Sequence, residues 1–195
     1  MKKMIVLLCG WSGCGKSSVA DNIGKTFNLK VVHSSGIYLQ LIKEKKIDET
    51  KAKKNQGFWE SKEGEKLFQK RIETAHSKES LDKILDKKLL EVIEKGNVVM
   101  DSWTMPWLSK KGIKIWLEVS DKERARRIAE RDKISEKEAL KKVKEKERKT
   151  IELYKNLYGF DFGKDEKVFG LILNTNDLSL EEVTGKVEEF LRKLI

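Results

Sequence analysis

The chain has 195 residues, a length typical of one domain with a single hydrophobic core. Lysine and arginine number 42 against 32 acidic residues, which gives a formal net charge of +10, and charged and apolar residues each make up 38% of the chain. This balance does not imply disorder and predicts a basic globular protein. The positive charge suits a polyanionic partner, either nucleic acid or small phosphates, or else forms a solvated, heat-tolerant surface.

No membrane segment or signal peptide is predicted. The longest apolar run, residues 4–9, has six residues and follows only two lysines, whereas a bilayer span needs about 20. Cys9 and Cys14 have no His or Cys partner at metal-ligand spacing, so neither a disulfide framework nor a zinc site is expected. We therefore expect a cytoplasmic protein, and we expect it to be a monomer or a homodimer.

Five short apolar runs predict β-strands. The first, residues 4–9, is too short for a helix, is rich in branched residues and stops at Gly10, which is typical of a strand buried on both faces of a parallel sheet. The other runs lie at residues 31–32, 98–100, 113–119 and 169–173.

Helical patterns separate these runs. An apolar stripe begins at Leu81 and ends before Gly96. Ser120, Ser135 and Ser179 each precede a glutamate by three residues, the pattern of a capping box at the start of a helix. Alternating strands and helices predict an α/β domain, a five-stranded parallel sheet flanked by helices.

The loop after the first predicted strand matches a phosphate-binding loop. Residues 10–17 fit the pattern of Gly, four residues, Gly-Lys-Ser, and a helical pattern continues from Ser18. The glycines allow backbone N–H groups to face a phosphate, Lys16 brings a charge to the β- and γ-phosphates, and the Ser17 hydroxyl can bind magnesium. Lys16 is therefore also a predicted catalytic residue. The pattern predicts these ATP-binding residues: Gly10, Trp11, Ser12, Gly13, Cys14, Gly15, Lys16, Ser17 and Ser18.

A carboxylate ends another buried strand. Asp101 follows the run at residues 98–100, and in a P-loop fold such an acid orients magnesium through its water shell. Asp101 and Ser17 are the predicted metal-binding residues, and Asp101 is also predicted to be catalytic. The alternative is that Asp101 is a turn or cap residue before Ser102.

Arginine is concentrated in one segment. Only seven of the 42 basic residues are arginine, and five of these lie within 25 residues: Arg124, Arg126, Arg127, Arg131 and Arg148. A planar guanidinium grips phosphate oxygens with two hydrogen bonds, which suits a lid that closes over a transferring phosphoryl group. Arg127 and Arg131 are the predicted catalytic pair. A salt-bridged helix surface, with Glu123 four residues before Arg127, is the alternative.

Together these motifs resemble those of nucleoside monophosphate kinases, and specifically of archaeal-type cytidylate kinases. The resemblance covers most of the chain, and beyond the phosphate-binding loop it is carried by residues 34–36, 81–86, 96–101, 124–131, 158–161 and 173–175. It implies a P-loop NTPase kinase fold that uses ATP and Mg²⁺ to phosphorylate CMP or a related nucleotide.

The family resemblance also implies a division of the chain. Residues 1–34, 97–123 and 160–195 would form the core, 35–96 an acceptor-binding helical insertion, and 124–159 a helical lid. In such kinases the donor base lies near the loop after the last strand, which places Asn176 among the expected ATP-binding residues.

The chain departs from this family on the acceptor side. Gln40 stands where relatives place an arginine, and Asp101-Ser102-Trp103 where they read Glu-Gly-Arg. A phosphate dianion needs replacement cations, and the candidates are Lys43, Arg71, Lys87 and Lys88. Residues 56–71 resemble an insertion relative to that family. Residues 43–54 form a charged run, which we interpret as a solvated bend. Trp103 and Trp107 either line a pocket or fill the core.

Two other functions stay open at this point. A kinase on the same fold could phosphorylate a hydroxyl of a small molecule or an RNA end, with Asp101 as general base. A non-enzymatic, ATP-binding protein associated with RNA would also suit the basic charge, and its RNA affinity would fall steeply with salt. We favour a nucleotide or small phosphorylatable acceptor over RNA.

Overall fold

The computed structural model describes residues 3–44, 62–77 and 80–195. All five predicted strands are present: β1 (Ile5–Gly10), β2 (Lys30–His33), β3 (Val98–Asp101), β4 (Ile113–Glu118) and β5 (Leu171–Asn174). They form one sheet in the order β2-β3-β1-β4-β5, and every neighbouring pair is parallel. The carboxyl ends of the strands therefore meet at one edge of the sheet, where ligands bind in open α/β folds.

Helices connect the strands and cover both faces of the sheet. They are α1 (Lys16–Thr26), α2 (Ser34–Glu44), α3 (Lys62–Thr74), α4 (Leu81–Lys95), α5 (Met105–Leu108), α6 (Asp121–Asp132), α7 (Glu136–Tyr158) and α8 (Leu180–Arg192), with a short 3₁₀ helix at Glu166–Val168. None of the helices in the described ranges is both long enough and apolar enough to span a membrane.

The predicted serine caps begin three of these helices. Ser120, Ser135 and Ser179 each accept a hydrogen bond from the backbone N–H three residues later. The reciprocal bond of a full capping box is present at Ser179, where the Glu182 side chain accepts from the Ser179 backbone. The Glu123 side chain instead binds two arginines of α6, because charged hydrogen bonds compete with the cap.

The core lies on both faces of β1. Val6 and Leu8 pack with residues of α1 and α8 on one face. Leu7 packs on the other face with residues of α2 and α4. Consecutive side chains of a strand point to opposite faces, so the continuous apolar run of β1 is explained by a sheet covered on both sides.

Two helical units stand beside this core, and their roles remain predictions. Helices α2, α3 and α4 lie in the region expected to bind the acceptor. Helices α6 and α7 form the expected lid and pack together through Ile128, Ala129, Ala139 and Val143. Residues 45–61, which include most of the predicted charged bend and the first part of the predicted insertion, lie outside the described residues.

Candidate active site

The phosphate-binding loop joins β1 to α1. Gly10 ends the strand with a positive φ of 142°, and a Cβ there would lie 2.3 Å from the Leu117 carbonyl oxygen, so only glycine fits. Gly15 caps α1 in the left-handed conformation, and the Ser18 backbone N–H bonds back to its carbonyl at 3.0 Å. The start of α1 therefore faces the loop, as an anion site requires.

Lys16 is bound to the loop that carries it. Its Nζ donates to the carbonyl oxygens of Gly10 at 2.8 Å and Trp11 at 2.9 Å. A phosphate oxygen is a stronger acceptor for an ammonium group than a neutral carbonyl. A phosphate placed at the loop would therefore compete with these carbonyl oxygens for Lys16.

Ser17 and Asp101, the two predicted metal-binding residues, lie in direct contact, and their metal-binding role remains a prediction. β3 runs beside β1 with Asp101 opposite Leu8, which brings the end of β3 to the first turn of α1. The Ser17 Oγ donates a hydrogen bond to Asp101 Oδ2. Burial raises the pKa of Asp101, but His33, the Ser17 hydrogen bond and the charge of Lys16 more than offset this, so the pKa lies below its usual value.

His33 is a member of this site that the sequence analysis missed. It ends β2 directly opposite Asp101, and its Nδ1 lies 3.2 Å from Asp101 Oδ2. Its Nε2 lies 3.0 Å from Asp21 Oδ1 on α1. Burial lowers the pKa of His33, whereas the two carboxylates raise it by more, so the pKa lies above 6.5. No local motif marks His33, because only the order of the strands brings it to Asp101.

Hard oxygen atoms suited to Mg²⁺ come from Ser17 and Asp101. Mg²⁺ binds one or two protein oxygens and fills its other positions with water and substrate phosphates. Within residues 3–44, 62–77 and 80–195, no group of three or more His, Cys, Asp or Glu side chains forms a metal site. Two protein oxygen atoms, from Ser17 and Asp101, suit a metal ion whose other ligands are water and the phosphates of a nucleotide.

A cavity of about 330 Å³ opens beside the loop. Ser12, Gly13, Gly15, Lys16, Ser17 and Ser18 line it, whereas Gly10, Trp11 and Cys14 are not among its lining residues. The basic side chains at its walls are Lys16, Arg71, Arg127, Arg131 and Lys146, and the carboxylates are Asp82, Asp86 and Asp101. The cavity thus joins the phosphate-binding loop to residues of the predicted lid and acceptor region.

Both predicted lid arginines border this cavity and also make ion pairs. Arg127 Nε donates to Glu123 at 2.8 Å, and its Nη2 donates to the Thr175 carbonyl oxygen at 2.7 Å. Arg131 binds its neighbour Asp132 at 2.6 Å. Arg126, on the same helix, pairs with Glu123 and Glu130 and is not among the lining residues. The structure thus separates Arg126 from the two arginines at the cavity.

One basic residue of α7 also reaches the cavity. Lys146 Nζ donates to Ser12 Oγ of the loop at 3.2 Å and lies 5.2 Å from the centre of the Trp103 ring. Lys144 instead pairs with Asp121, and Arg148 is exposed beside Glu152. The sequence places all three on the same helix, and only the rotation of α7 against the loop selects Lys146.

Trp11 and Trp107 belong to an aromatic cluster, whereas Trp103 belongs to both the cluster and the cavity. The Trp11 ring centre lies 4.9 Å from that of Phe162, and the Trp107 ring stacks on Phe160 at 4.6 Å. Trp103 packs on Phe162 at 4.8 Å and also lines the cavity. Packing in this cluster therefore explains the bulky Trp11 in the loop, and it explains Trp107 as well.

The acceptor region contributes a buried ion pair to the cavity wall. Arg71 Nη2 donates to Asp82 Oδ1 at 2.6 Å, and the guanidinium lies 4.9 Å from the centre of the Phe68 ring. Of the other candidate cations, Lys87 is exposed, Lys88 lies 3.6 Å from Glu91, and the Lys43 side chain is outside the described residues. Among the candidate replacement cations whose side chains are described, Arg71 is therefore the one that reaches the cavity.

Asp86 is a second acidic group on this wall. It accepts hydrogen bonds from Thr104 Oγ1 at 2.7 Å and from the Tyr158 hydroxyl. Burial raises the pKa of Asp86 to about 6, although both hydroxyls oppose the shift. Asp86 thereby joins α4 to the last turn of α7.

Asn176 lies at a different place from the main cavity. Its Oδ1 accepts a hydrogen bond from the Ser120 backbone at 2.8 Å, at the start of α6. It borders a separate, smaller cavity of about 240 Å³ together with Arg126 and Glu136. Its expected contact with the donor base remains a prediction.

The sheet order, the phosphate-binding loop and the carboxylate at the end of β3 define a P-loop kinase fold. Solved structures share it: shikimate kinase from Bacteroides thetaiotaomicron has a TM-score of 0.59 at 16% identity over 98% of this chain and 99% of that chain. Shikimate kinase from Acinetobacter baumannii has a TM-score of 0.55 at 12% identity over 98% and 94%. At these identities the likeness concerns the fold alone.

The family follows from sequence comparison. Residues 5–177 match the model of the cytidylate kinase-like family, and the chain belongs to that family. Cytidylate kinase of Pyrococcus horikoshii is 31% identical over 187 residues, which cover 95% of this chain and 87% of that protein. Cytidylate kinase of Methanocaldococcus jannaschii is 28% identical, covering 98% of this chain and 99% of that protein. The chain is therefore a kinase of the nucleoside monophosphate kinase type.

Proposed function

We propose that this kinase transfers the γ-phosphoryl group of ATP, with Mg²⁺, to CMP or a related nucleoside monophosphate. The observation that carries the proposal is a cavity in which Lys16 and the Ser17–Asp101 pair meet three cations of the predicted lid, Arg127, Arg131 and Lys146. Such a cavity can hold two phosphorylated ends together. The names of the related cytidylate kinases support the choice of acceptor.

The donor phosphates are proposed to lie on the loop. Backbone N–H groups at the start of α1 and the Lys16 ammonium would bind them. Ser17 and Asp101 would hold Mg²⁺, directly or through its waters. A bound Mg²⁺ would neutralise charge that develops between the β- and γ-phosphates.

The lid side chains are proposed to stabilise the transferring group. Negative charge spreads over the equatorial oxygens of a phosphoryl group in transfer, and fixed cations stabilise it in a site that excludes water. Arg127 is already oriented by Glu123 and by the Thr175 carbonyl oxygen. Its guanidinium would therefore need little reorganisation as transfer begins.

The state of Asp101 favours a phosphate acceptor over a hydroxyl acceptor. A hydroxyl must lose a proton to a base, and a base works best when its pKa is near the working pH. The pKa of Asp101 is lowered, and its Oδ2 is engaged by Ser17 and His33. A phosphate is already ionised at neutral pH and needs no such base, which suits this site.

A coupled ADP-release assay tests the proposal. Purified protein with Mg²⁺ and ATP would be offered CMP, dCMP, UMP, AMP and GMP, and separately cytidine and shikimate as hydroxyl acceptors. We expect ADP release that requires a monophosphate, with CMP among the substrates. Release with cytidine or shikimate but with none of the monophosphates would overturn the proposal in favour of a hydroxyl kinase.

A further inference from the structure

His33 is a polar residue buried at the carboxyl end of the edge strand β2. It is 6% exposed, at the end of β2, and the neighbouring Val32 is packed in the core. Burying a polar ring without partners is unfavourable. Asp21 Oδ1 is the hydrogen-bond partner of Nε2, and on the other side of the ring Asp101 Oδ2 lies within ion-pair distance of Nδ1, which makes no hydrogen bond within the described residues.

These contacts connect three parts of the site. Asp21 lies on α1, one turn after Ser17, and Nε2 of His33 lies 3.0 Å from its carboxylate. Nδ1 lies 3.2 Å from Asp101 Oδ2, the same oxygen that accepts from Ser17. Asp101 is thus held from α1 directly through Ser17 and indirectly through Asp21 and His33.

We propose that His33 is a positioning residue for the metal site: anchored by Asp21, it fixes the orientation of the Asp101 carboxylate toward Mg²⁺. The inference rests on the proposed function, since it assigns a metal to Ser17 and Asp101. A carboxylate at the end of a strand can rotate about its side-chain bonds, and contacts beyond the ligands commonly set the orientation of a metal-binding group. Ser17 and His33 approach one oxygen of Asp101 from two different elements, which restricts that rotation.

A purely structural role for His33 makes a different prediction. If the ring only joined β2 to α1, its loss would lower the free energy of unfolding and leave the affinity of the folded protein for metal unchanged. If it positions Asp101, its loss lowers metal affinity in protein that remains folded. Metal affinity and the unfolding transition must therefore be measured on the same variants.

Mn²⁺ is the probe, because electron paramagnetic resonance counts free Mn²⁺ directly and needs no turnover. Mn²⁺ would be titrated into the wild type and variants saturated with ADP, with ADP affinity measured beforehand in EDTA. We expect His33→Phe to weaken Mn²⁺ binding about ten-fold or more, the usual effect of removing such a supporting contact, with ADP affinity in EDTA unchanged. His33→Gln, whose amide can donate to Asp101, should recover part of the loss.

Two further variants keep the test decisive. Asp21→Asn leaves both His33 and Asp101 in place and should also weaken Mn²⁺ binding, by a smaller factor than His33→Phe. If His33→Phe does not fold, Asp21→Asn tests the positioning role instead. His76→Phe makes the same change at an exposed histidine after α3 and should leave binding unchanged. Wild-type Mn²⁺ affinity in folded His33→Phe, or in Asp21→Asn when His33→Phe does not fold, would overturn the inference.

Binding of ADP in EDTA tests the proposed function separately from the role of His33. If the wild type does not bind ADP in EDTA, the proposed function is wrong and this inference is wrong with it. If ADP binds normally and Mn²⁺ affinity does not depend on His33, only the inference about His33 is wrong.

Discussion

At the scale of residues, Lys16 is predicted to serve the reaction and to contribute little to the stability of the fold. Its Nζ contacts carbonyl oxygens of its own loop, and the side chain faces the cavity. We expect Lys16→Ala to lower phosphoryl transfer by about 10²-fold or more, because it removes a charge that stabilises the transition state. The midpoint of urea unfolding should stay close to that of the wild type.

The control is Lys83→Ala, which removes an exposed lysine of α4. It should leave both the rate of ADP release and the unfolding midpoint unchanged. Undiminished transfer by Lys16→Ala would exclude the assigned role of this lysine.

Asp86 gives a prediction for the dependence of stability on pH. The fold raises the pKa of Asp86 from 3.8 to about 6, so the folded state favours the protonated carboxyl. Its contribution to the free energy of unfolding is full below about pH 4 and is lost as the pH rises through about 6. Two pKa units correspond to about 3 kcal/mol.

Asp86→Asn should remove this dependence. Urea unfolding of the wild type and the variant at pH 4 and pH 7 measures it, since the difference between the proteins cancels the other titrating groups. We expect the stability of the wild type relative to Asp86→Asn to fall by about 2 kcal/mol between these pH values, because part of the effect is already lost at pH 4. A difference that does not change with pH would contradict the assignment.

At the scale of elements, α6 carries arginines with different surroundings. Arg127 and Arg131 border the cavity, while the Arg126 side chain is 47% exposed and held by Glu123 and Glu130. Arg127→Ala and Arg131→Ala should each reduce kcat by about 10²-fold or more, with smaller effects on ATP affinity. Arg126→Ala, on the same helix, should leave kcat unchanged. Steady-state kinetics that give all three variants the same kcat would favour the salt-bridged surface instead.

The junction of α6 and α7 rests on a buried ion pair. Arg124 Nη1 donates to Glu147, and both side chains are almost fully buried. Replacing one partner leaves the other charge buried and unpaired, so Arg124→Met should lower the free energy of unfolding by about 3–5 kcal/mol. The double variant Arg124→Met/Glu147→Leu should recover much of the loss. Urea unfolding checks this, with Arg148→Met, whose side chain is 69% exposed, as the control.

For the molecule as a whole, the family resemblance predicts an altered acceptor side, with Gln40 and Trp103 at positions where guanidinium groups are expected. Arg71, the candidate replacement cation that lines the cavity, is paired with Asp82. Each lost charge-assisted contact costs about 1.5–3 kcal/mol, or roughly 10- to 150-fold in affinity. We therefore expect a weak KM for CMP.

Initial rates over a range of CMP concentrations measure that KM. A KM in the tens of micromolar together with a kcat above roughly 10 s⁻¹, the ordinary range for enzymes, would contradict this expectation. Lys87→Ala and Lys88→Ala address the remaining explanation, that these lysines replace the missing arginines. If CMP is bound through them, each variant should raise the KM for CMP.

The sequence by itself determined the features that depend on neighbours along the chain. Apolar runs predicted the five strands, serines three residues before a glutamate marked the starts of α6, α7 and α8, and residues 10–17 indicated the proposed nucleotide site. Ser17 and Asp101 were also within reach of the sequence, because the ends of parallel strands meet at one edge of a sheet and β3 neighbours β1.

Only the tertiary structure decided which distant side chains complete the site. His33 meets Asp101 because β2 lies at the edge of the sheet beside β3. Lys146 reaches Ser12 because of the way α7 is turned toward the loop, and Arg71 enters the cavity wall because Asp82 of α4 binds it. These contacts join residues of different helices, strands and loops. Neither hydrophobic periodicity nor local spacing carries information about them, since both report only which face of an element is buried.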